Sequence, residues 1–445
     1  MPANESRGRA IAAVVSRHRM RVGILGGLAA SFGVGIVAAC GGTDADNGGA
    51  VTVNDAGTDR GSIITPPATH IPIGIAAGGV HACATMDDGR LFCWGNNRHG
   101  QLGNPQITEL PDGSRPFDKR PVPSPQLASV ANTIQVATGD ESDEDGQPAE
   151  ATCAILTDAQ AQCWGQNRYR ALGRANSPVD DDYKPHPEAL PVSNLGPSQQ
   201  IVTNGMTSCA VSADDGWCWG RGLHWTDGGG GKFPTKVDGK GHPIKQIAIG
   251  HLFGAVLDEI GNVYGWGDNS RGQLAISPDY MFTDALEIAA GNYTACARVR
   301  SGEVMCIGSN TRGMLGRDKF DAPQDSVAAP VILPTNRSAT KLAMASDHAC
   351  ALLDDGTIWC WGNNRYGGLG AGQINGNSVE PQESSLPLKV QGLSNPAVAI
   401  AAGIAFTCAL LSDHTVMCWG LNRDGTLGQG SLDEAPHISP VRVQL

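Results

Sequence analysis

The chain has 445 residues, of which 59 are Gly and 27 Pro, while aromatic residues make up only 5% and include nine Trp. Such usage suits many short strands joined by turns and argues against long helices. The formal charge is −12, and no basic run interleaved with aromatics occurs, so the composition argues against nucleic acid, whose phosphates call for clustered Lys and Arg.

In chain order, Arg17, Arg19 and Arg21 come first, before an uncharged run of 18 residues, Val22 to Ala39, with five Gly. That length lies at the lower limit for a membrane span. A positive flank, a short apolar stretch and small residues before a cut describe an export signal over 1–39. The tetrad Val37-Ala38-Ala39-Cys40 resembles the lipobox of bacterial lipoproteins. The resemblance implies cleavage before Cys40 and lipidation of its thiol. With Gly41 following, it also implies sorting to the outer membrane, on the periplasmic or the surface side. An ordinary signal with a stray cysteine is the alternative. Residues 40–70, rich in Gly, Asp, Asn and Thr, read as a flexible tether.

The remainder, 71–445, repeats one phrase. "HACATMDDGRLFCWGNNRHGQLG" at 81–103 returns as "HACALLDDGTIWCWGNNRYGGLG" at 348–370 and "FTCALLSDHTVMCWGLNRDGTLG" at 406–428. Seven copies begin near Ile75, Val136, Ile201, Ile247, Ile288, Met344 and Ile400. The core keeps its length while the connections vary, which marks a repeated structural unit with insertions. A repeat array overrides the two or three domains that length alone suggests.

Each core reads as a β-hairpin. With Met86–Arg90 as the turn and Gly89 left-handed, Thr85 faces Leu91, Ala84 faces Phe92 and Cys83 faces Cys93. The cysteines then occupy a non-hydrogen-bonded site, where Cα atoms lie ~4.5 Å apart, within the range of roughly 4.4–6.8 Å that a disulfide accepts. The same centring holds for Cys153/Cys163, Cys296/Cys306, Cys350/Cys360 and Cys408/Cys418, while Cys209/Cys218 is one residue shorter. The fourth copy has Ala255 and Gly265 instead, so both partners are missing together. This joint absence points to six disulfides and an oxidising compartment. Buried free thiols are the alternative; zinc sites favour closer cysteine pairs.

The stretch 75–103, with its Ala-Ala-Gly, Cys-Ala, Asp-Gly, Trp-Gly-x-Asn and Gly-x-Leu-Gly elements, resembles the repeat of the regulator of chromosome condensation family in a bacterial, cysteine-containing form. The likeness covers about 75–428, with departures at Ile307 and Ala171. It implies an all-β fold, a seven-bladed β-propeller. Pro-x-x-Val-like strands stand before most copies, and the chain finishes on one, Pro440 to Leu445. Pairing of Val441–Val443 into the first blade would close the ring and leave no free sheet edge. The Trp after each second cysteine should pack between blades.

No catalytic motif of the common hydrolase, zincin or phosphate-loop kinds occurs, and "GGGGKF" at 228–233 lacks the Ser or Thr after Lys232. No enzyme activity and no cofactor are expected. The acidic insertion with Glu141, Asp143 and Asp145 has part of a calcium-loop pattern, but Thr152 stands where a bidentate Glu belongs. His81 and His348 share a repeat position and read as packing residues. Long segments at 104–120, 174–190, 317–329 and 371–386 leave equivalent points of the repeat, so in a ring they emerge on one side. The expectation is a lipid-anchored, extracytoplasmic binding scaffold for a protein or other envelope macromolecule, with no nucleic-acid partner. A secreted-enzyme inhibitor, like the β-lactamase-inhibiting propeller of the same family, and a carbohydrate-active enzyme are the alternatives.

Overall fold

The core hairpins form as their turn chemistry dictates. Met86 N donates to Arg90 O at 2.9 Å and Gly89 N to Met86 O at 3.0 Å, with Gly89 at φ +79°. Cys83 then lies opposite Cys93, joined to it with Cα atoms 4.1 Å apart. The third copy turns on two residues, Ala213 (φ 50°) and Asp214 (φ 66°). Losing one turn residue this way leaves Cys209 directly opposite Cys218. Disulfides also join Cys153–Cys163, Cys296–Cys306, Cys350–Cys360 and Cys408–Cys418.

The computed structural model describes residues 70–104, 122–139, 141–142, 148–174, 182, 184–221, 233–275, 280–317, 324–372 and 382–445, all within the unit Pro67–Leu445. The expected signal, Cys40 and most of the tether lie outside them. Blade 1 is the antiparallel sheet Pro72–Gly78, His81–Met86, Leu91–Gly95, Val122–Leu127. Six more sheets repeat the plan. Their first strands are Thr133–Thr138, Ser198–Thr203, Ile244–Ile249, Ala285–Ala290, Ala339–Met344 and Ala397–Gly403. Each first strand touches the first strands of both neighbouring blades, and the circuit returns to blade 1. The chain is a closed seven-bladed β-propeller. No described helix is long and apolar enough to cross a membrane.

The Ala-Ala-Gly element has a steric cause in this inner ring. A Cβ on Gly78 would sit 2.4 Å from Thr138 O, one on Gly139 2.2 Å from Gly205 N, and one on Gly403 2.7 Å from Gly78 O. Glycine lets the blades approach to backbone contact. Glutamines add hydrogen bonds on the same ring: Gln200 Oε1 accepts from Ile247 N at 2.7 Å while its Nε2 donates to Ile247 O at 3.1 Å. Gln246 does the same to Ile288.

The expected pairing of Val441–Val443 into blade 1 is not found. Val441 pairs with Cys418, and His437–Arg442 is the outer strand of blade 7 itself. The Pro-x-x-Val segments therefore finish blades rather than begin them, because the chain after Leu-Gly turns back antiparallel to the hairpin's second strand. Closure rests on packing and hydrogen bonds instead. Ile404 N donates to Gly79 O at 3.0 Å, and Val443 packs with Trp94, Ala82 and Ala84. Outer edges consequently exist, and proline marks them: Pro125, Pro187, Pro330, Pro387 and Pro440 lie in these strands. Proline has no N–H to offer a second chain, which blunts edge-to-edge pairing.

The five Trp that follow cysteines 93, 163, 218, 360 and 418 are buried. Each packs on the disulfide of the preceding blade: Trp164 on Cys83–Cys93, Trp219 on Cys153–Cys163, Trp361 on Cys296–Cys306, Trp419 on Cys350–Cys360 and Trp94 on Cys408–Cys418. The joint between blades 4 and 5 departs from this pattern on both sides at once. Blade 4 has Ala255 and Gly265, and the residue facing Ala255 from blade 5 is Ile307. Blade 4 also has three strands among the described residues, its fourth place held by one bridge, Val263 to Phe282.

Candidate binding face

The connection from third to outer strand is built from the Trp-Gly-x-Asn and Gly-x-Leu-Gly elements. The motif Asn accepts, through Oδ1, the N–H of the motif Leu: Asn97 from Leu102, Asn167 from Leu172, Asn269 from Leu274, Asn310 from Leu315, Asn364 from Leu369 and Asn422 from Leu427, all at 2.8–3.2 Å. Leu102, Leu172, Leu315, Leu369 and Leu427 are buried. The last Gly has positive φ and no room for a side chain, since a Cβ on Gly370 would sit 2.6 Å from Trp419 Nε1. Each of those indoles donates to a main-chain carbonyl of the previous blade's turn: Trp164 to Gln101, Trp219 to Ala171, Trp361 to Met314 and Trp419 to Gly368, at 2.8–2.9 Å. Blade 4 has Ala275 at the Gly position, with φ 68°, and there the following blade offers Ile307 in place of Trp.

These turns lie at one end of every blade, together with the bends between first and second strands. Asn104, Arg174, Arg221, Ala275, Arg317 and Gly372 are the points at which the variable segments leave. The core hairpin turns lie at the other end, two or three residues long throughout. The outer strands Pro185–Pro191, Gln324–Pro330 and Glu383–Lys389 account for the later part of three of the four long segments, so the insertions are shorter than the sequence suggests. "GGGGKF", apart from Phe233, lies outside the described residues. So do Asp143 and Asp145, while Glu141 falls in a two-residue strand.

His81 and His348 point between blades. His81 Nε2 meets Thr152 Oγ1 at 2.8 Å, and that hydroxyl donates to Gln101 O at 2.8 Å. With the Thr152 proton so committed, the imidazole proton sits on Nε2. His348 repeats the relay through Thr407 to Gly368 O. Burial drives the His81 imidazole down to about 3 and His348 downward as well. Both are neutral structural donors.

Beside them lies a buried carboxyl. Glu150 is 1% exposed and receives Gln101 Nε2, with His99 Nδ1 at 3.7 Å. Burial raises its titration point, and His99 opposes that rise. At the opposite, hairpin-turn end, His70, Asp87 and Asp88 hold ligand-type atoms within 4.8 Å of one another. That group is exposed, and the contact of His70 Nδ1 with Asp88 together with the Arg90–Asp88 ion pair accounts for it.

Comparison with known proteins agrees with this architecture. A family model described as the RCC1-like domain matches residues 148–445, and models of the regulator of chromosome condensation (RCC1) repeat match 73–101 and 88–142. The ultraviolet-B receptor UVR8 of Arabidopsis thaliana is 25% identical over 393 residues, covering 82% of this chain and 80% of that protein. The human E3 ubiquitin-protein ligase HERC2 is 25% identical over 298 residues, 63% of this chain but 6% of the ligase. Among solved structures, Prp20p of Saccharomyces cerevisiae superposes with a TM-score of 0.68 at 21% identity, covering 81% of this chain and 87% of that one. Human WBSCR16 superposes at 0.65 with 19% identity, covering 80% and 95%. At such identities the likeness of structures is one of fold.

Proposed function

The chain belongs to the RCC1-like domain family, and from that premise we propose that it is an exported, lipid-anchored scaffold that binds a protein or other envelope macromolecule through one face of the ring. The observation that carries this reading is the asymmetry of the connections. Hairpin turns at one end are two or three residues long, whereas all the long insertions depart from the other. Variation confined to the loops of one face of a rigid repeat is how binding surfaces are built. The structure of Prp20p was reported with its binding properties to Gsp1p and histones, which supports a protein-binding use of the fold and transfers no partner.

Export draws support from the six disulfides, which persist in an oxidising compartment. Membrane attachment rests on Cys40 alone. The test of the binding face is replacement of residues 105–121 and 373–381 by short Gly-Ser links, with folding checked by circular dichroism. Capture of partners from the cognate envelope should be lost; undiminished capture would overturn the reading. Cys40→Ser should release the protein from the membrane fraction, and retention would remove the lipid anchor from the account.

A further inference from the structure

We infer that the insertion-bearing face receives an acidic polypeptide, its carboxylates taken by a circle of arginines; the inference rests on the proposed binding role of that face. In a chain of net charge −12, every blade carries arginine in its third-to-outer turn. Arg98, Arg271, Arg312, Arg365 and Arg423 are exposed there. The turn does not need them. Its geometry is held by the motif Asn, which bonds the Leu N–H, and by the buried Leu below. A recurrent cation without a structural task points outward.

Ion pairs on this face engage Arg312 with Glu383 at 3.4 Å and Arg423 with its neighbour Asp424 at 3.8 Å. Among the described residues the Arg98, Arg271 and Arg365 guanidinium groups make no ion pair, although the charge of Arg98 reaches the buried Glu150 carboxyl. Two of these lie against tyrosine rings, Arg271 at 5.9 Å from Tyr293 and Arg365 at 5.4 Å from Tyr366. Stacking orients a guanidinium while leaving its N–H fork free, the arrangement that takes a carboxylate in a bidentate grip. Arginine and tyrosine are also the residues that most often carry binding energy at protein interfaces.

A cavity of about 270 Å³ lies between Arg271 and Arg312, walled by Asn292, Ser309, Thr311 and Ser346. It offers hydroxyl and amide donors beside the two cations. Asp347 also lines it, with its carboxylate engaged by Asn363 Nδ2. Asp347 and Asp424 interleave with the arginines. A uniform polyphosphate would meet those carboxylates, whereas a polypeptide can place its own carboxylates opposite the arginines only.

The experiment presents the intact protein, in detergent micelles, to an array of random dodecapeptides beside the R98Q/R271Q/R312Q/R365Q variant. Melting temperatures should agree, because the altered groups are exposed. Peptides bound by the wild type should be enriched in Asp and Glu, with binding weakened at least tenfold in the variant and by raised salt. Enrichment in apolar or basic residues, or binding unchanged in the variant, would overturn the inference. So would displacement of the peptides by an oligodeoxynucleotide at equal charge. If the variant still captures the envelope partner that is lost on removing 105–121 and 373–381, the arginine role fails and the binding face stands. If capture survives both changes, the face itself is wrong.

Discussion

Trp94 Nε1 donates to the backbone carbonyl of Thr426 at 2.9 Å, across 332 residues of chain. It is the same bond that Trp164, Trp219, Trp361 and Trp419 make between consecutive blades, here joining the first blade to the last. The ring is thus closed by the device that builds its interior joints, without exchange of a strand.

Trp94→Phe keeps most of the buried ring but removes the donor, leaving the Thr426 carbonyl unpartnered by the indole. The expected loss is about 1–3 kcal/mol, and Trp164→Phe should cost about the same. The two should differ in hydrogen exchange. Ile404 N–H, bonded to Gly79 O across the closing joint, should exchange faster in the Trp94 variant only. Equal protection in both variants would mean that closure does not depend on this bond.

The buried histidines give stability a defined pH dependence. Unfolded, His81 takes a proton near 6.5; folded, it resists protonation until about 3. Between those values the unfolded chain holds more protons, so stability falls as pH falls and is insensitive to this group above the window. Melting temperature should therefore decline from pH 6.5 to about pH 4.5, above the ordinary carboxylate range. H81Q/H348Q, whose neutral amides can still donate to Thr152 and Thr407, should flatten that slope. An unchanged slope would contradict the assignment.

Two hairpin turns hold a side chain where their equivalents have glycine. Ala159 has φ 64° and His414 φ 63°, against 79°, 89° and 75° at Gly89, Gly302 and Gly356. The left-handed region disfavours a Cβ, and glycine relieves that at some cost in chain entropy. Ala159→Gly and His414→Gly should each stabilise by about 1 kcal/mol in chemical denaturation. Destabilisation of both would show the turn conformations to be misassigned.

Restoring cysteines to blade 4 should fail for a steric reason. Ala255 and Gly265 keep the paired register, but a Cβ on Gly265 would lie 2.4 Å from Met281 Sδ and 2.7 Å from Leu274 Cδ2. A255C/G265C should leave both added thiols titratable after unfolding, and adding Met281→Ala should allow the bond. Complete oxidation of A255C/G265C with Met281 in place would contradict the packing described.

Much of this was legible in the residues. The ten-residue cysteine spacing encodes the hairpin register, and the missing pair in the fourth copy is a real structural vacancy. What the sequence hid was relational. Nothing near Ile307 says that it faces a blade lacking a disulfide, because Ala255, Gly265 and Ile307 are separated in the chain and meet only at one joint. The blade to which each outer strand belongs is hidden for a similar reason. A strand after a variable segment reads equally well as the end of one unit or the start of the next, and only hydrogen-bond pairing decides. The arginines are hard to read as a set in the sequence because their positions shift by one residue among copies and the bulk charge is acidic.

The central claim is that six of the seven blades are braced by buried sulfur bonds, five of them beneath a buried tryptophan of the next blade. Thiol titration of the natively isolated protein, unfolded in denaturant without reductant, tests it most directly. None of the twelve repeat cysteines should react, and peptide mapping should return the pairs 83–93, 153–163, 209–218, 296–306, 350–360 and 408–418. Twelve reactive thiols, or bonds between different blades, would contradict it.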